Sequence, residues 1–220
     1  MSFFNLPKQT QVNKSIPKNA FDNYTNNKQK KLFVDIIERI RWTNKLSVET
    51  INLEGKEISE IQIFQVTLRK KENIEKLLEI IDKSIPYHII FVLNFEDQVK
   101  ISVAQKHLHP TNENNAVIDW TFKSEWLNKD LIKYQLNLKG TLDSVIKDFC
   151  IQLSGKKDDV DLSLNELVEK EAQIEKLEKE IIKLKGQIKR SKQFNRKVEL
   201  NALLRQSEME LKKIIQNESL

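Results

Sequence analysis

Apolar residues recur along the chain with two different periods, and the change falls near residue 162. Before it, short alternating or continuous apolar runs, as in strands, are separated by stretches of helical spacing. After it only spacings of three, four and seven remain. Ile61 to Leu68 reads as a strand whose apolar phase switches from Ile61/Ile63 to Phe64/Val66/Leu68, which a bulge or burial on both faces would produce. Ile74, Leu77, Leu78 and Ile81 share a helical face over Asn73–Lys83, and Ser84-Ile85-Pro86 stops that helix. The run Ile89-Ile90-Phe91-Val92-Leu93 predicts a central strand buried on both sides. Val99/Ile101/Val103 alternates as its hairpin partner across the Asn94–Gln98 turn, and Ile118/Trp120/Phe122 supplies a third strand with one apolar face. Lys28 to Trp42 fits a helix through Leu32, Phe33, Ile36, Ile37 and Ile40 and also alternates toward Trp42, so a short helix followed by a strand is the favoured reading. Thr141 is a candidate N-cap for the stripe Leu142, Val145, Ile146, Phe149 and Leu153.

These elements predict an α+β fold: a mixed, mainly antiparallel sheet with flanking helices, followed by a C-terminal antiparallel helical hairpin. Residues 1–27, polar and interrupted by Pro7 and Pro17, read as an extended N-terminal arm pinned by Phe3, Phe4, Leu6, Val12, Ile16 and Phe21. Residues 28–153 form the globular α/β domain. Residues 154–161, beginning Ser154-Gly155-Lys156-Lys157-Asp158-Asp159, have nothing to bury and read as a linker to the arm 162–220.

In the arm, Leu167, Ile174, Leu177, Ile181, Leu184 and Ile188 form a heptad seam with Glu and Lys between them. Such a rod of roughly 40 Å is longer than a narrow stripe stabilises alone. A second stripe, Leu200, Leu204, Leu211 and Ile215 with Leu203 and Ile214 beside it, follows the interruption at Ser191–Asn195, so a hairpin is the simplest solution. One continuous helix in an intermolecular coiled coil is the alternative, and dimerisation through the arm is compatible with both.

Charge sharpens this picture. Of the residues 31% are charged and 39% hydrophobic, with a net charge of +5, so one sizeable core accompanies a largely solvated segment. Lys183, Lys185, Lys189, Arg190, Lys192, Arg196 and Lys197 fall in a stretch with no acidic residue between Glu180 and Glu199. A hairpin gathers them at its tip. Concentrated Lys and Arg gain from counterion release on phosphates, whereas a solvated helix end needs only a few cations to complement its dipole.

The remaining chemistry is sparse. Cys150, the single cysteine, excludes a disulfide framework or a thiolate metal cage within one chain. No secretory leader and no long apolar run is visible, which points to a cytoplasmic protein. His107 and His109 at a strand end could supply two metal ligands, but they lack further donors at ligand spacing. Asp35 with Glu54-Gly55-Lys56 copies the carboxylates and lysine of a metal-dependent nuclease, yet Glu54 and Lys56 stand in a glycine-containing turn rather than a buried strand, and chance explains them better. Glu96-Asp97 reads as a hairpin tip, and Trp42, Trp120 and Trp126 as packing rather than a base-stacking platform. Gly55, Gly140, Gly155 and Gly186 are the only glycines, and none opens a phosphate-binding loop. The expectation is a protein without metal or other cofactor, with catalysis left open but not favoured.

Leu6-Pro7-Lys8 with Val12-Asn13-Lys14-Ser15-Ile16-Pro17-Lys18, Ile85-Pro86-Tyr87-His88-Ile89-Ile90-Phe91, and Lys192-Gln193-Phe194-Asn195-Arg196-Lys197-Val198-Glu199-Leu200-Asn201 together carry a likeness. The chain resembles a bacterial family known mainly as a domain of unknown function, encoded beside helicases and DNA methyltransferases in restriction-like and phage-defence loci. The resemblance implies an accessory protein that docks on a larger DNA-processing partner, and it carries over no catalytic residues. It draws attention to the Lys192–Asn201 segment and makes Lys14 and Lys18 candidates for contact with the partner or a nucleic-acid backbone. A divergent nuclease and a purely structural dimeric scaffold are the competing expectations.

Overall fold

The apolar run Ile89–Leu93 lies at the centre of a seven-stranded sheet. Strands β1 (Gln11–Ile16), β2 (Ile37–Ser47), β3 (Glu60–Leu68), β4 (His88–Phe95), β5 (Gln98–His109) and β6 (Asn112–Lys123) lie side by side in chain order. The two-residue β7 (Leu127–Asn128) pairs with the start of β5. Every pairing is antiparallel except β3 with β4. A parallel pair needs a crossover, which α3 (Glu75–Lys83) provides. The computed structural model describes residues 3–155, 159 and 161–216, without the side chains of Glu113 and Asn114. Of the expected linker 154–161, residues 156–158 and 160 lie outside the described residues, as do 1–2 and 217–220 of the two expected arms. The chain divides into two compact units, Met1–Asp161 and Leu162–Leu220.

Local sequence chemistry sets the element boundaries. Asn26 and Gln29 form a capping box, each side chain accepting the other's backbone N–H at 2.9 Å, and this starts α1 (Asn27–Ile36). The ambiguous Lys28–Trp42 stretch is thus helix and then strand. A short α2 (Val48–Ile51) follows β2, and α4 (Leu142–Ser154) starts at Thr141 as the stripe predicted. Within the segment read as an arm, Gln11–Ile16 pairs as the edge strand β1, and Phe4 and Phe21 are buried.

The phase switch in β3 reflects burial on both faces. Phe64, Val66 and Leu68 join Ile89, Phe91 and Leu93 beneath α1 and α3, with Phe21 and Phe33 in the same cluster. Ile61, Ile63, Ile90 and Val92 are equally buried but of opposite phase. The aromatic ring of Phe149 on α4 contacts Phe4 and Tyr134, which line a groove over Gln65 and Asn94 on that second face. The alternative reading, a bulge in β3, does not hold: the irregularities lie in the partner strand, between Ile37 and Arg39 and between Trp42 and Asn44. β3 runs in unbroken register with β4, while the β2 register shifts between Trp42 and Asn44, where the Thr43 hydroxyl donates to Ile63 O at 3.1 Å.

Helix α3 is held to β5 and β6 by charge at its two ends. Alternation on β5 puts Lys100, Ser102, Ala104 and Lys106 on the same face as the buried Phe91 and Leu93 of β4. At the far end the Lys106 ammonium is fully buried and donates to Asp82 Oδ1 (3.0 Å), Asp82 O (2.8 Å) and Ile85 O (2.9 Å). At the near end Glu75 pairs with Lys123 at 2.8 Å and Lys100 at 3.9 Å. On the opposite face of β4, His88 is buried with Nε2 3.2 Å from Gln105 Oε1.

Asp82→Ala leaves the Lys106 ammonium buried without its counterion and should cost about 3–5 kcal/mol in urea unfolding, with much of the loss recovered by adding Lys106→Met. The pH dependence follows from two opposed groups. Burial, aided by the Lys106 charge, pushes the His88 pKa down to about 4. The unfolded chain therefore binds this proton first as the pH falls below about 6.5, and stability is lost through the window from 6.5 to 4, by about 2 kcal/mol at pH 5. Burial pushes Asp82 up to about 6 against the pull of Lys106, so this group adds stability as the pH falls from 6 toward 4. His88→Gln removes only the first effect. Between pH 7 and pH 5 its urea midpoint should hold up better than that of the parent.

Candidate nucleic-acid interface

The second unit is a pair of helices. Ser163 and Glu166 form a capping box at the start of α5 (Leu164–Arg190), and Ser191-Lys192-Gln193 separates it from α6 (Phe194–Ile215). The two helices pack together as the expected hairpin. Leu167, Ile174, Leu177, Ile181 and Leu184 are buried along α5. On α6 the inward positions are Leu200, Leu204, Ser207, Leu211 and Ile214, whereas Ile215, expected in the stripe, is exposed. Lys185 and Glu208 join the helices at 2.9 Å.

This geometry brings most of the expected contact residues to one end. Lys189 and Arg190 occupy the last turn of α5, Lys192 the connection, and Arg196 and Lys197 the start of α6. Lys183 and Lys185 lie further down α5. Arg196 pairs with Glu199 at 2.8 Å and Arg190 Nε donates to Gly186 O at 3.1 Å. Lys183, Lys189, Lys192 and Lys197 are exposed and have no ion-pair partner among the described residues. Exposed ion pairs such as Arg196–Glu199 contribute about 0–1 kcal/mol, so these cations can exchange partners at little cost.

The helix dipole explains only half of the cluster. Cations suit the C-terminus of α5, where Lys189 and Arg190 stand. The same dipole disfavours cations at an N-terminus, yet the first turn of α6 holds no acidic residue, Gln193 gives no side-chain cap, and Arg196 and Lys197 follow directly. Beside them the ring of Phe194 is 78% exposed. Sequence reasoning used Phe194 to mark the interruption of the stripe and as part of the Lys192–Asn201 motif, not as an exposed ring. The signal that it faces outward was its distance of six residues from Leu200, out of phase with the seam.

Lys14 and Lys18 belong to the first unit. Lys14 is exposed on β1 opposite Trp42, and Lys18 opens a 3-10 turn, where partial burial and Arg69 push its pKa down. The other candidate constellations come apart. Asp35 lies on α1 before β2 and Glu54 beyond its far end, so the whole 11-residue strand, about 35 Å, separates them. Lys56 stands beside Glu54 in a turn, held through its backbone rather than presenting a catalytic lysine. His107 Nδ1 is 3.0 Å from Asp119, and His109 Nδ1 accepts from Thr111 N at 3.3 Å, so the two rings serve different partners. Among the described residues no group of three or more His, Cys, Asp or Glu could hold a metal ion. Trp42 and Trp126 pack against the core, with Lys71 over the Trp126 ring at 5.4 Å. Burial raises the Cys150 thiol pKa, consistent with a packing role.

The family model described as Domain of unknown function (DUF4391) matches residues 4–211. The chain belongs to that family. No curated protein and no solved structure matches it. The DUF4391 span includes the sheet, α4 and nearly all of the hairpin, so the basic turn lies inside the family domain. Among the described residues no helix is long and apolar enough to cross a membrane.

The turn that imitated a nuclease motif is a structural clamp. Asp143, at the start of α4, accepts backbone N–H groups from Lys56 (2.6 Å), Glu57 (3.0 Å) and Ile58 (3.1 Å). Gly55 fits because a Cβ there would lie 2.0 Å from Ile58 O. Asp143→Ala should lower stability by about 2 kcal/mol through loss of these charge-assisted bonds. Glu54→Ala and Lys56→Ala, both at exposed positions, should change it by less than about 0.5 kcal/mol. Thermal unfolding of the three variants checks both expectations.

Proposed function

We propose that this DUF4391 chain is a non-catalytic interaction protein of a bacterial DNA-processing or anti-phage system. It works in the cytoplasm, docks on a larger partner such as a helicase or methyltransferase of the same system, and contacts nucleic acid through the basic turn between α5 and α6. The observation that carries this reading is the acid-free cationic turn that crosses from a helix end where the dipole favours it to a helix start where it does not. Counterion release from phosphates gives such a cluster a free-energy gain that an isolated hairpin lacks. The docking role rests on the family likeness, with Lys14 and Lys18 as candidate contacts.

Charge reversal at Arg190, Lys192, Arg196 and Lys197 should abolish salt-sensitive binding to labelled DNA or RNA in fluorescence anisotropy while circular dichroism stays unchanged. For the parent, the logarithm of the association constant should fall linearly with the logarithm of salt. Unchanged binding by the reversed variant would refute the assignment of the turn. Absence of nucleic-acid binding at low salt, with a stable dimer in light scattering, would replace it by the scaffold reading.

A further inference from the structure

The outward side of α6 extends the tip into a track. Phe194, Lys197, Val198, Asn201, Arg205, Met209 and Lys212 recur at spacings of three and four, which place them on one face of the helix. They are exposed, and this face is turned about 115° around the helix from the Leu200/Leu204/Ser207/Leu211 seam. The track spans about 27 Å of helix. Its cations Lys197, Arg205 and Lys212 have no ion-pair partner among the described residues. One acid, Glu208, stands on this face between Arg205 and Lys212 and is engaged by Lys185, and Glu199 beside the face is engaged by Arg196.

Apolar side chains stand among these charges. Phe194 is 78% exposed, Val198 53% and Met209 62%. An outward helix face of a solvated hairpin has no use for an aromatic ring, and the ring of Phe194 makes no stacking contact with another aromatic side chain of the described residues. A cationic groove or stripe with an exposed ring suits a polyanion that also offers flat apolar faces. Unpaired bases offer them; a duplex keeps its bases stacked inside and presents mainly phosphates.

We infer that the outer face of α6 binds single-stranded nucleic acid, with Phe194 stacking on a base near the turn and Lys197, Arg205 and Lys212 following the backbone along the helix. This rests on the nucleic-acid reading of the basic turn and adds to it the strandedness of the ligand, a stacking residue, and two cations outside the turn. Charge complementarity selects this occupant over a second copy of the hairpin, which would set the cations of one face against those of another.

The full-length protein is titrated into labelled oligo-dT and oligo-rU of about fifteen nucleotides and into a duplex of the same length, at 50 and 200 mM salt. Both single strands should bind more tightly than the duplex. Phe194→Ala should weaken single-strand binding about tenfold and leave its salt slope and the duplex affinity unchanged. Arg205→Gln with Lys212→Gln should reduce the slope by about 1.4, from two fewer phosphate contacts. All these positions are exposed, so unchanged circular dichroism will show that the hairpin is intact. Equal affinity for strand and duplex, or indifference to Phe194→Ala, overturns the inference while leaving phosphate contact by the turn intact. Failure of every oligonucleotide to bind overturns both readings. If the protein instead floats with vesicles containing anionic lipid, and Phe194→Ala releases it, the apolar residues serve a membrane surface.

Discussion

Everything in the first unit depends on keeping α3 pressed against the strands it crosses. A parallel β3–β4 pair cannot be closed by a turn, so the chain must leave the sheet, cover it and return. Leu77, Leu78 and Ile81 supply the apolar part of that contact. The Lys106 ammonium fixes the end of the crossover by gathering two carbonyls and the Asp82 carboxylate. An ammonium taken wholly out of water is costly, and its full set of three acceptors offsets that cost. The arrangement gains specificity more than energy. Only one placement of α3 along β5 satisfies Lys106 at one end and lets Glu75 meet Lys100 and Lys123 at the other.

Much of this was legible in the sequence, because burial leaves a period. The doubly buried β4, the helical faces of α3 and α4, the Thr141 cap and the hairpin follow directly from apolar spacing. The rest was hidden for identifiable reasons. β1 carries few apolar residues and sits at an edge with its side chains mostly exposed, so pairing with β2 left no alternation to find. The phase switch in β3 arose from two-sided burial, and the real irregularities lay in β2, at Ile37–Arg39 and at Trp42–Asn44. Lys106 looked like any strand lysine, since its acceptors come from Asp82 and Ile85 more than twenty residues earlier. The site was visible as a run of cations but not as a face. Arg205 and Lys212 belong to the acid-containing part of α6, and only the engagement of Glu199 and Glu208 elsewhere reveals a basic track.

The hairpin separates two tasks that a single helix would confuse. Its stability resides in the inward stripe, Leu177, Ile181 and Leu184 on α5 and Leu200 on α6, reinforced by the Lys185–Glu208 pair. Its outward residues contribute little to folding, because exposed side chains on a helix change stability by only tenths of a kcal/mol. Phe194, Val198 and the cations around them are therefore under no structural requirement to be what they are. Ordinary helix chemistry would place an acid or a cap near the start of α6, and the chain places Gln193 and two cations there instead.

A local arrangement that opposes a helix's own preferences needs a compensating gain, and the kind of gain is constrained by where the charges stand. Repulsion among Lys189, Lys192 and Lys197 and the positive helix end is present in the unbound protein and weakens when an anion enters. Binding energy of that type is salt-dependent and insensitive to base sequence. It concentrates ligand at the turn without selecting it. Selection has to come from the uncharged members of the same face, and Phe194 is the one with the chemistry to supply it: a rigid ring already in water, which loses little conformational freedom when a flat partner covers it. On the proposed reading the electrostatic and apolar parts of the face have separate work, attraction by the turn and discrimination along α6, and both depend on the inward seam that leaves this face exposed.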